Sequence, residues 1–209
     1  MSSSRKSIYP LFESLALQNK QVKNLPYHQL RFERSYQKVY GCPPPFTLFS
    51  AIQGLSLPPS TQRFKLRIRY NHREAVPEIL AYQSRSVKTL LLVDQPNISY
   101  DVKWSDRSTI NALYAQKGKA DDVLICSKGN VRDSSYANIL FLKEGQWYTP
   151  DTPLLQGTKR AQLLDQKMIQ ECPIQVGELH QFDGFQLINA LLDFDPANAS
   201  PMSQIHTGP

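Results

Sequence analysis

The spacing of apolar positions in the first half of the chain predicts short strands and one long helix. Pro26 suits the first turn of that helix and Gly41 suits its end, because proline fits the start of a helix and glycine its C-terminal cap. A turn at 94–97 closes this part. The predicted elements are strands over 11–17 and 21–25, a helix over 27–40, and strands over 63–70 and 87–93.

The second half continues with alternating strands and helices, which predicts an α/β or α+β lobe. Its predicted elements are a helix over 105–117, strands over 122–127, 138–142 and 146–149, and a helix over 158–170. The turn at 94–99 divides the chain into a small N-terminal lobe, 1–95, and a larger C-terminal lobe, 96–194. Residues 195–209 are rich in Pro, Asn, Ser and Gly, and we expect a flexible tail there.

Composition and charge describe an ordinary globular protein of 209 residues, with 41% hydrophobic and 20% charged residues. The net charge of +6 admits nucleic acid as a ligand, but the cations are scattered, and the densest run, 63–69, alternates with apolar residues. That run favours a pocket or a strand face over a nucleic-acid-binding tail. No apolar run has membrane-spanning length, and we expect neither secretion nor a membrane anchor.

The three cysteines are far apart and form no CxxC pair, so the sequence supports neither a disulfide framework nor a zinc site. The four histidines are too dispersed for a metal cluster, and we expect no metal. A reducing cytoplasm is the expected compartment. The common nucleotide, serine-hydrolase and zinc-protease motifs are absent as well.

A long ordered stretch resembles the class IV aminotransferase family, the pyridoxal 5′-phosphate (PLP) enzymes of fold type IV. That family includes branched-chain and D-amino-acid aminotransferases and aminodeoxychorismate lyase. The shared order is a strand, an acidic residue followed by small hydroxyl residues and Asn, a second hairpin, and Leu-x-Gly at a helix start. In this chain the stretch comprises DDVLI at 121–125, NVRDSSYANILF at 130–141, GQWYTP at 145–150 and LLQGTKR at 154–160.

The resemblance extends in both directions and covers most of residues 11–192. Lys103 lies nineteen residues before Asp122, where the family has its Schiff-base lysine. Near the N-terminus, Phe12-Glu13-Ser14 and the later His28-x-x-Arg31 resemble the family's aromatic-Glu strand and its His-x-x-Arg helix. The resemblance implies two lobes with the cofactor between them, and a small lobe shortened at its N-terminus.

The resemblance also implies a role for each cofactor-site residue. Lys103 would form the imine with PLP and move a proton during catalysis, which requires a lowered pKa. Asp133 would pair with the ring nitrogen, although many members have Glu there. Arg31 and the turn at Gly157, Thr158 and Lys159 would bind the phosphate, either with the Lys159 ammonium or with the backbone alone. The cofactor pocket would be lined by Ser135, Tyr136, Ala137 and Asn138.

Substrate recognition has several candidates. Lys65, Arg67 and Arg69 alternate along one predicted strand, so their side chains share a face that could hold a carboxylate; a cationic edge strand that discourages pairing is an equal alternative. Phe12 stands where some members have Tyr. Asn189 and Ala190 belong to a late segment that resembles the family's substrate loop, and Asn-Ala-Leu is similar to the lyase branch.

The sequence therefore predicts a PLP-dependent enzyme acting on an amino acid or keto acid, first as an aminotransferase. A β-elimination of the aminodeoxychorismate lyase type and a non-catalytic PLP-binding relative are the alternatives. The resemblance implies a homodimer, and we expect neither nucleic acid nor membrane as a partner. A basic nucleic-acid-binding domain would rest on charge alone.

Overall fold

The computed structural model describes residues 8–208, which form two compact units. The first comprises 8–83 together with 102–107, and the second comprises 84–101 and 108–208. The sequence predicts a single break at 94–99, whereas the chain leaves the first unit earlier and returns to it. It returns because 102–105 pairs with the beginning of the first strand: the Phe12 N–H donates to the Lys103 carbonyl at 3.2 Å, and the Ser105 N–H to that of Pro10 at 2.7 Å.

The first unit contains an antiparallel sheet of order β2-β1-β3-β4. Its strands are β1 (Leu11–Gln18), β2 (Gln21–Val22), β3 (Phe64–Tyr70) and β4 (Ala75–Ala81). Side chains alternate across the sheet along β3. Leu66, Ile68 and Tyr70 are buried in the core of the unit. The predicted alternation along β3 is thus present, and Lys65, Arg67 and Arg69 share the opposite face.

Two helices belong to the first unit, α1 (Leu25–Tyr40) and α2 (Leu48–Ile52). Pro26 lies in the first turn of α1, and Gly41 caps its end with φ 74°, a left-handed conformation that glycine adopts without strain. Phe32 and Tyr36 of α1 pack into the same core as Leu11 and Leu15 of β1. One face of α1 is therefore fixed against the sheet.

The second unit is built on a larger sheet with helices. Its strands in the described chain are β5 (Leu90–Asp94), β6 (Asp122–Ser127), β7 (Asn130–Ser134), β8 (Asn138–Lys143), β9 (Gln146–Pro150), β10 (Gln170–Cys172), β11 (Gly184–Ile188), β12 (Ser200–Pro201) and β13 (Ile205–Thr207). Its helices are α3 (Ser108–Tyr114) and α4 (Thr158–Asp165), with 3-10 turns at Ala115–Lys117, Val176–Gln181 and Met202–Gln204. This mixture of strands and helices confirms the predicted fold class.

The main path through the second sheet runs β10-β9-β8-β7-β6-β5-β13, and β11 joins it by pairing with β8 and β12. The pairs β5–β6, β5–β13 and β9–β10 are parallel. Residues 200–201 and 205–207 thus belong to the sheet, where the sequence indicated a loose tail. Backbone pairing with β11 and β5 orders this segment despite its turn-forming composition. Within 8–208, no helix has the length and apolarity needed to cross a membrane.

Candidate active site

Lys103 sits beside the first residues of β1. Its ammonium nitrogen lies 4.9 Å from the centre of the Phe12 ring. Loss of water around the amine, and then the charge of Arg31, lower the pKa of Lys103 to about 7 against the opposing effect of Glu13. Near neutral pH a large share of Lys103 is therefore a neutral amine, the form that attacks a carbonyl carbon.

A buried ionic cluster lies in the same unit. Both Glu13 on β1 and His28 on α1 are 0% exposed, and Arg31 is 6% exposed. Glu13 Oε1 accepts from Arg31 Nε at 2.9 Å, and Glu13 Oε2 accepts from His28 Nδ1 at 2.6 Å and from Arg31 Nη2. Burial alone would raise the pKa of Glu13, but the Arg31 charge and the His28 hydrogen bond outweigh it and lower the pKa to about 2.

Arg67 and Arg69 project from β3 onto aromatic rings. The Arg67 guanidinium carbon lies 4.7 Å from the Phe12 ring centre, and that of Arg69 lies 5.6 Å from the Tyr9 ring centre. Both Nε atoms are buried and have no hydrogen-bond acceptor among the described residues. Phe12 is thus shared by Lys103 and Arg67, and the predicted residues Phe12, Arg31, Arg67 and Lys103 come together in the first unit.

In the second unit, Asp133 lies at the end of β7 and is 5% exposed. Its Oδ1 accepts from Asn138 Nδ2 at 2.8 Å, and its Oδ2 accepts from the Leu155 N–H at 3.0 Å. Burial nevertheless raises the pKa of Asp133 to about 7. Within 8–208 it accepts hydrogen bonds from amide groups, and the charge of Arg160 opposes the effect of burial only weakly, so a cationic hydrogen-bond donor would favour the ionised form.

Asn138 connects Asp133 to the turn before α4. Its Nδ2 also donates to the Leu155 carbonyl at 2.9 Å. A Cβ built on Gly157 would lie 1.8 Å from Asn138 Oδ1, so only glycine allows the turn to approach this closely. Gly157 directly precedes Thr158, the first residue of α4. The predicted acid and the predicted phosphate turn are therefore held together by one amide.

The Lys159 ammonium is directed toward other residues of the unit. It lies 3.1 Å from Gln162 Oε1 and 3.7 Å from Asp193 Oδ1. Of the two alternatives for the phosphate turn, this geometry favours the one in which backbone N–H groups at the start of α4 act without the Lys159 ammonium.

A tight turn carries the next predicted residues. Ser134 Oγ accepts from the Ala137 N–H at 3.1 Å, which orders Ser135 and Tyr136 between β7 and β8. Asn189 Nδ2 donates to the Tyr136 carbonyl at 3.4 Å, and Asn189 Oδ1 accepts from the Leu191 N–H at 2.8 Å. The late segment with Asn189 and Ala190 is therefore fastened to this turn.

Three residues outside the predicted set help to build these two groups. Glu13 anchors Arg31 in the first unit, and its sequence signal is the segment Phe12-Glu13-Ser14, which resembles the family's aromatic-Glu strand. Arg160, 3% exposed, donates to the Pro150 carbonyl and to Glu171, both at 2.8 Å, and so holds the loop before Gly157. Arg85 lies over the rings of Tyr114 and Tyr136, and no sequence signal identified it.

Comparisons with known proteins identify the family. Residues 10–199 match the family model for class IV amino-transferases. The chain belongs to the class IV aminotransferase family. An uncharacterized protein of Haemophilus influenzae is 41% identical over 186 residues, which are 88% of this chain and 98% of that protein. The predicted family resemblance is confirmed.

Solved structures show the same fold. A protein of Haemophilus somnus 129PT, named as a candidate 4-amino-4-deoxychorismate lyase, is 37% identical with a TM-score of 0.83 and covers 88% of this chain and 97% of its own. A hypothetical aminotransferase from Mycobacterium tuberculosis in its PLP-bound form has 15% identity and a TM-score of 0.72, covering 94% and 81%. Class IV members have the fold of the fold type IV PLP enzymes, and so does this chain.

Proposed function

We propose that the chain binds PLP covalently through Lys103 and uses it to transform an amino compound. The observation that carries the proposal is the Lys103 amine, fixed beside Phe12 and with its pKa lowered to about 7 in a unit that also contains Arg31. When bound, PLP supplies an electron-accepting ring that stabilises negative charge on the substrate carbon. Membership of class IV and a PLP-bound structural neighbour support this choice of cofactor.

The donor set of the chain fits the chemical groups of PLP. Lys103 would bond to the aldehyde carbon and, once released, take the proton from the substrate carbon that bears the amino group. Asp133, ionised by a protonated ring nitrogen, would keep that nitrogen cationic. Arg31 and the N–H groups that open α4 after Gly157 would bind the phosphate. The pocket would be lined by Ser135, Tyr136, Ala137 and Asn138.

Arg67 and Arg69 are the proposed carboxylate ligands of the substrate. Their buried Nε groups have no acceptor within 8–208, and a carboxylate would supply one. Arg67 shares the Phe12 ring with Lys103, which makes Phe12 a proposed contact of the substrate as well. Asn189 and Ala190 would contribute through the late segment that is fastened to Tyr136.

Two reactions are compatible with these residues, and we favour the lyase. The 37% identical structure is named as a candidate 4-amino-4-deoxychorismate lyase, and Asn189-Ala190-Leu191 is similar to the lyase branch. Aminodeoxychorismate also has two carboxylates, which two adjacent arginines could bind. Removal of the proton at the amino-bearing carbon and cleavage of the bond between the ring and the ether oxygen would give 4-aminobenzoate and pyruvate. The two products together contain all the atoms of the substrate. Transamination, the first prediction from the sequence, is the second candidate.

A product assay separates the reactions. Purified protein supplied with PLP is incubated with aminodeoxychorismate, and separately with amino acids and 2-oxoglutarate. The lyase proposal predicts 4-aminobenzoate and pyruvate in equal amounts and no glutamate. Glutamate formation from the amino acids, without 4-aminobenzoate from aminodeoxychorismate, would support the aminotransferase instead. Lys103→Ala is the matched variant, and turnover that survives it would contradict both enzymatic proposals. We further propose a homodimer, as the family resemblance implies, to be checked by light scattering.

A further inference from the structure

The buried carboxylate of Glu13 accepts from two partners that α1 presents together. His28 and Arg31 are three residues apart on α1, so their side chains share one helix face. Arg31 contacts both carboxylate oxygens, and His28 contacts one of them. All three side chains are buried, so solvent has little part in their orientation.

The protonation of His28 follows from its partner. An ionised carboxylate only accepts hydrogen bonds, so His28 Nδ1 must carry a proton. Burial lowers the pKa of His28, which makes it a neutral imidazole with Nδ1–H directed at Glu13. This hydrogen bond is made to Oε2, which also accepts from Arg31 Nη2, and so helps to orient the carboxylate. The carboxylate in turn restricts the guanidinium of Arg31.

We propose that Glu13 and His28 are positioning residues that fix the Arg31 guanidinium for the phosphate of PLP. The inference rests on the proposed function, in which Arg31 binds that phosphate. An unanchored arginine loses side-chain entropy when it binds an anion, whereas a preoriented one has already lost it on folding. Positive charge is retained near Lys103 because the charges of Arg31, Arg67 and Arg107 all act on it, and Glu13 balances only one of them.

A comparison of PLP with pyridoxal, which lacks the phosphate, tests this positioning role. Dissociation constants of both ligands are measured by equilibrium dialysis for the wild type, Glu13→Gln, His28→Leu and His28→Gln. Arg34→Gln is the matched control, because Arg34 is an exposed residue of the same helix. Glutamine at position 28 can still donate to Glu13, whereas leucine cannot.

We expect Glu13→Gln to weaken PLP binding about tenfold, the size of a lost charge-assisted hydrogen bond, and to change pyridoxal binding by less than about twofold. His28→Leu should weaken PLP in the same selective way, His28→Gln should restore it, and Arg34→Gln should leave both ligands unaffected. Equal weakening of both ligands, or no change for PLP, would overturn the inference.

Folding of each variant is checked by circular dichroism. If Glu13→Gln does not fold, the contrast between His28→Leu and His28→Gln decides the question alone. A wild type that binds neither PLP nor pyridoxal would refute the proposed function, and the positioning role with it. A wild type that binds both ligands with equal affinity would refute only the phosphate role of Arg31 and its positioning by Glu13 and His28.

Discussion

Glu13 and Asp133 are both buried carboxyls on strands, yet their pKa values move in opposite directions. Glu13, in the first unit, has a guanidinium and an imidazole as partners, and its pKa is about 2. Asp133, in the second unit, accepts hydrogen bonds from amide groups within 8–208, the charge of Arg160 has a small effect on it, and its pKa is about 7. The fold of the first unit therefore neutralises its own buried charge, whereas the second leaves a carboxyl that a cationic ligand would ionise. The two carboxyls therefore differ in their partners rather than in their burial, and we propose that Asp133 is the one that binds a ligand.

The largest expected effect is the loss of unfolding free energy when the carboxylate of Glu13 is removed. Glu13→Ala leaves the buried Arg31 charge without its anion, and removing one member of a buried pair costs about 3–5 kcal/mol of unfolding free energy. Urea denaturation measures this loss. Glu33→Ala, at an exposed position of α1, is the control and should change stability little. Equal losses in the two variants would mean that the Glu13 cluster is not a stabilising pair.

Replacement of Asp133 should lower the rate of catalysis. Asp133→Asn keeps the shape of the side chain but cannot supply an anion to the ring nitrogen, so we expect kcat to fall about a hundredfold, equivalent to about 2.7 kcal/mol. Steady-state kinetics at saturating PLP measures it. Unchanged kcat would show that Asp133 does not act on the cofactor.

The two carboxyls should also give opposite dependences of stability on pH. The folded-state pKa of Asp133 is raised, so the apoprotein should lose about 2 kcal/mol between about pH 5 and pH 7, and Asp133→Asn should remove that loss. The folded-state pKa of Glu13 is lowered, so its contribution is present above its ordinary pKa and lost as pH falls toward about 2. Urea denaturation at pH values from about 2 to 7 measures how the unfolding free energy depends on pH for both carboxyls. If the unfolding free energy of the wild type did not change from about pH 5 to 7, as in Asp133→Asn, the raised pKa of Asp133 would be contradicted.

The smallest expected effect concerns the turn that supports Asp133. Gly157→Ala would force its Cβ against Asn138, and we expect about 1–2 kcal/mol of destabilisation, as for other overpacked sites. Thermal denaturation measures it. Gly177→Ala is the matched control because nothing lies within 4 Å of a Cβ there. Similar shifts in both variants would mean that Asn138 moves aside readily.

Much of the fold could be predicted where one local signal dominates. The apolar strand β1, and α1 with Pro26 at its start and Gly41 at its end, lie close to their predicted positions. By contrast, β4 contains Pro77 and β7 is mostly polar, so neither resembles a strand in the sequence. Helix α4 ends at Asp165 rather than near 170, since Lys167 adopts a positive φ.

In the candidate site, too, some residues could be predicted from local sequence and others could not. Lys103, Asp133 and Gly157 are predicted from their spacing in the family pattern, which local sequence preserves. The contact of Glu13 with His28 and Arg31, and the return of 102–105 to β1, depend on residues far apart in the chain. Such pairings follow from the tertiary fold, and no local pattern specifies them.

Borohydride reduction of the PLP-loaded protein, followed by peptide mapping, shows directly whether Lys103 holds the cofactor. Reduction fixes PLP to whichever amine holds it. We expect one pyridoxyl group, on Lys103, because this amine lies beside Phe12 and has its pKa lowered by burial and by Arg31. A label on any other lysine, or no label after PLP has been supplied, would contradict it.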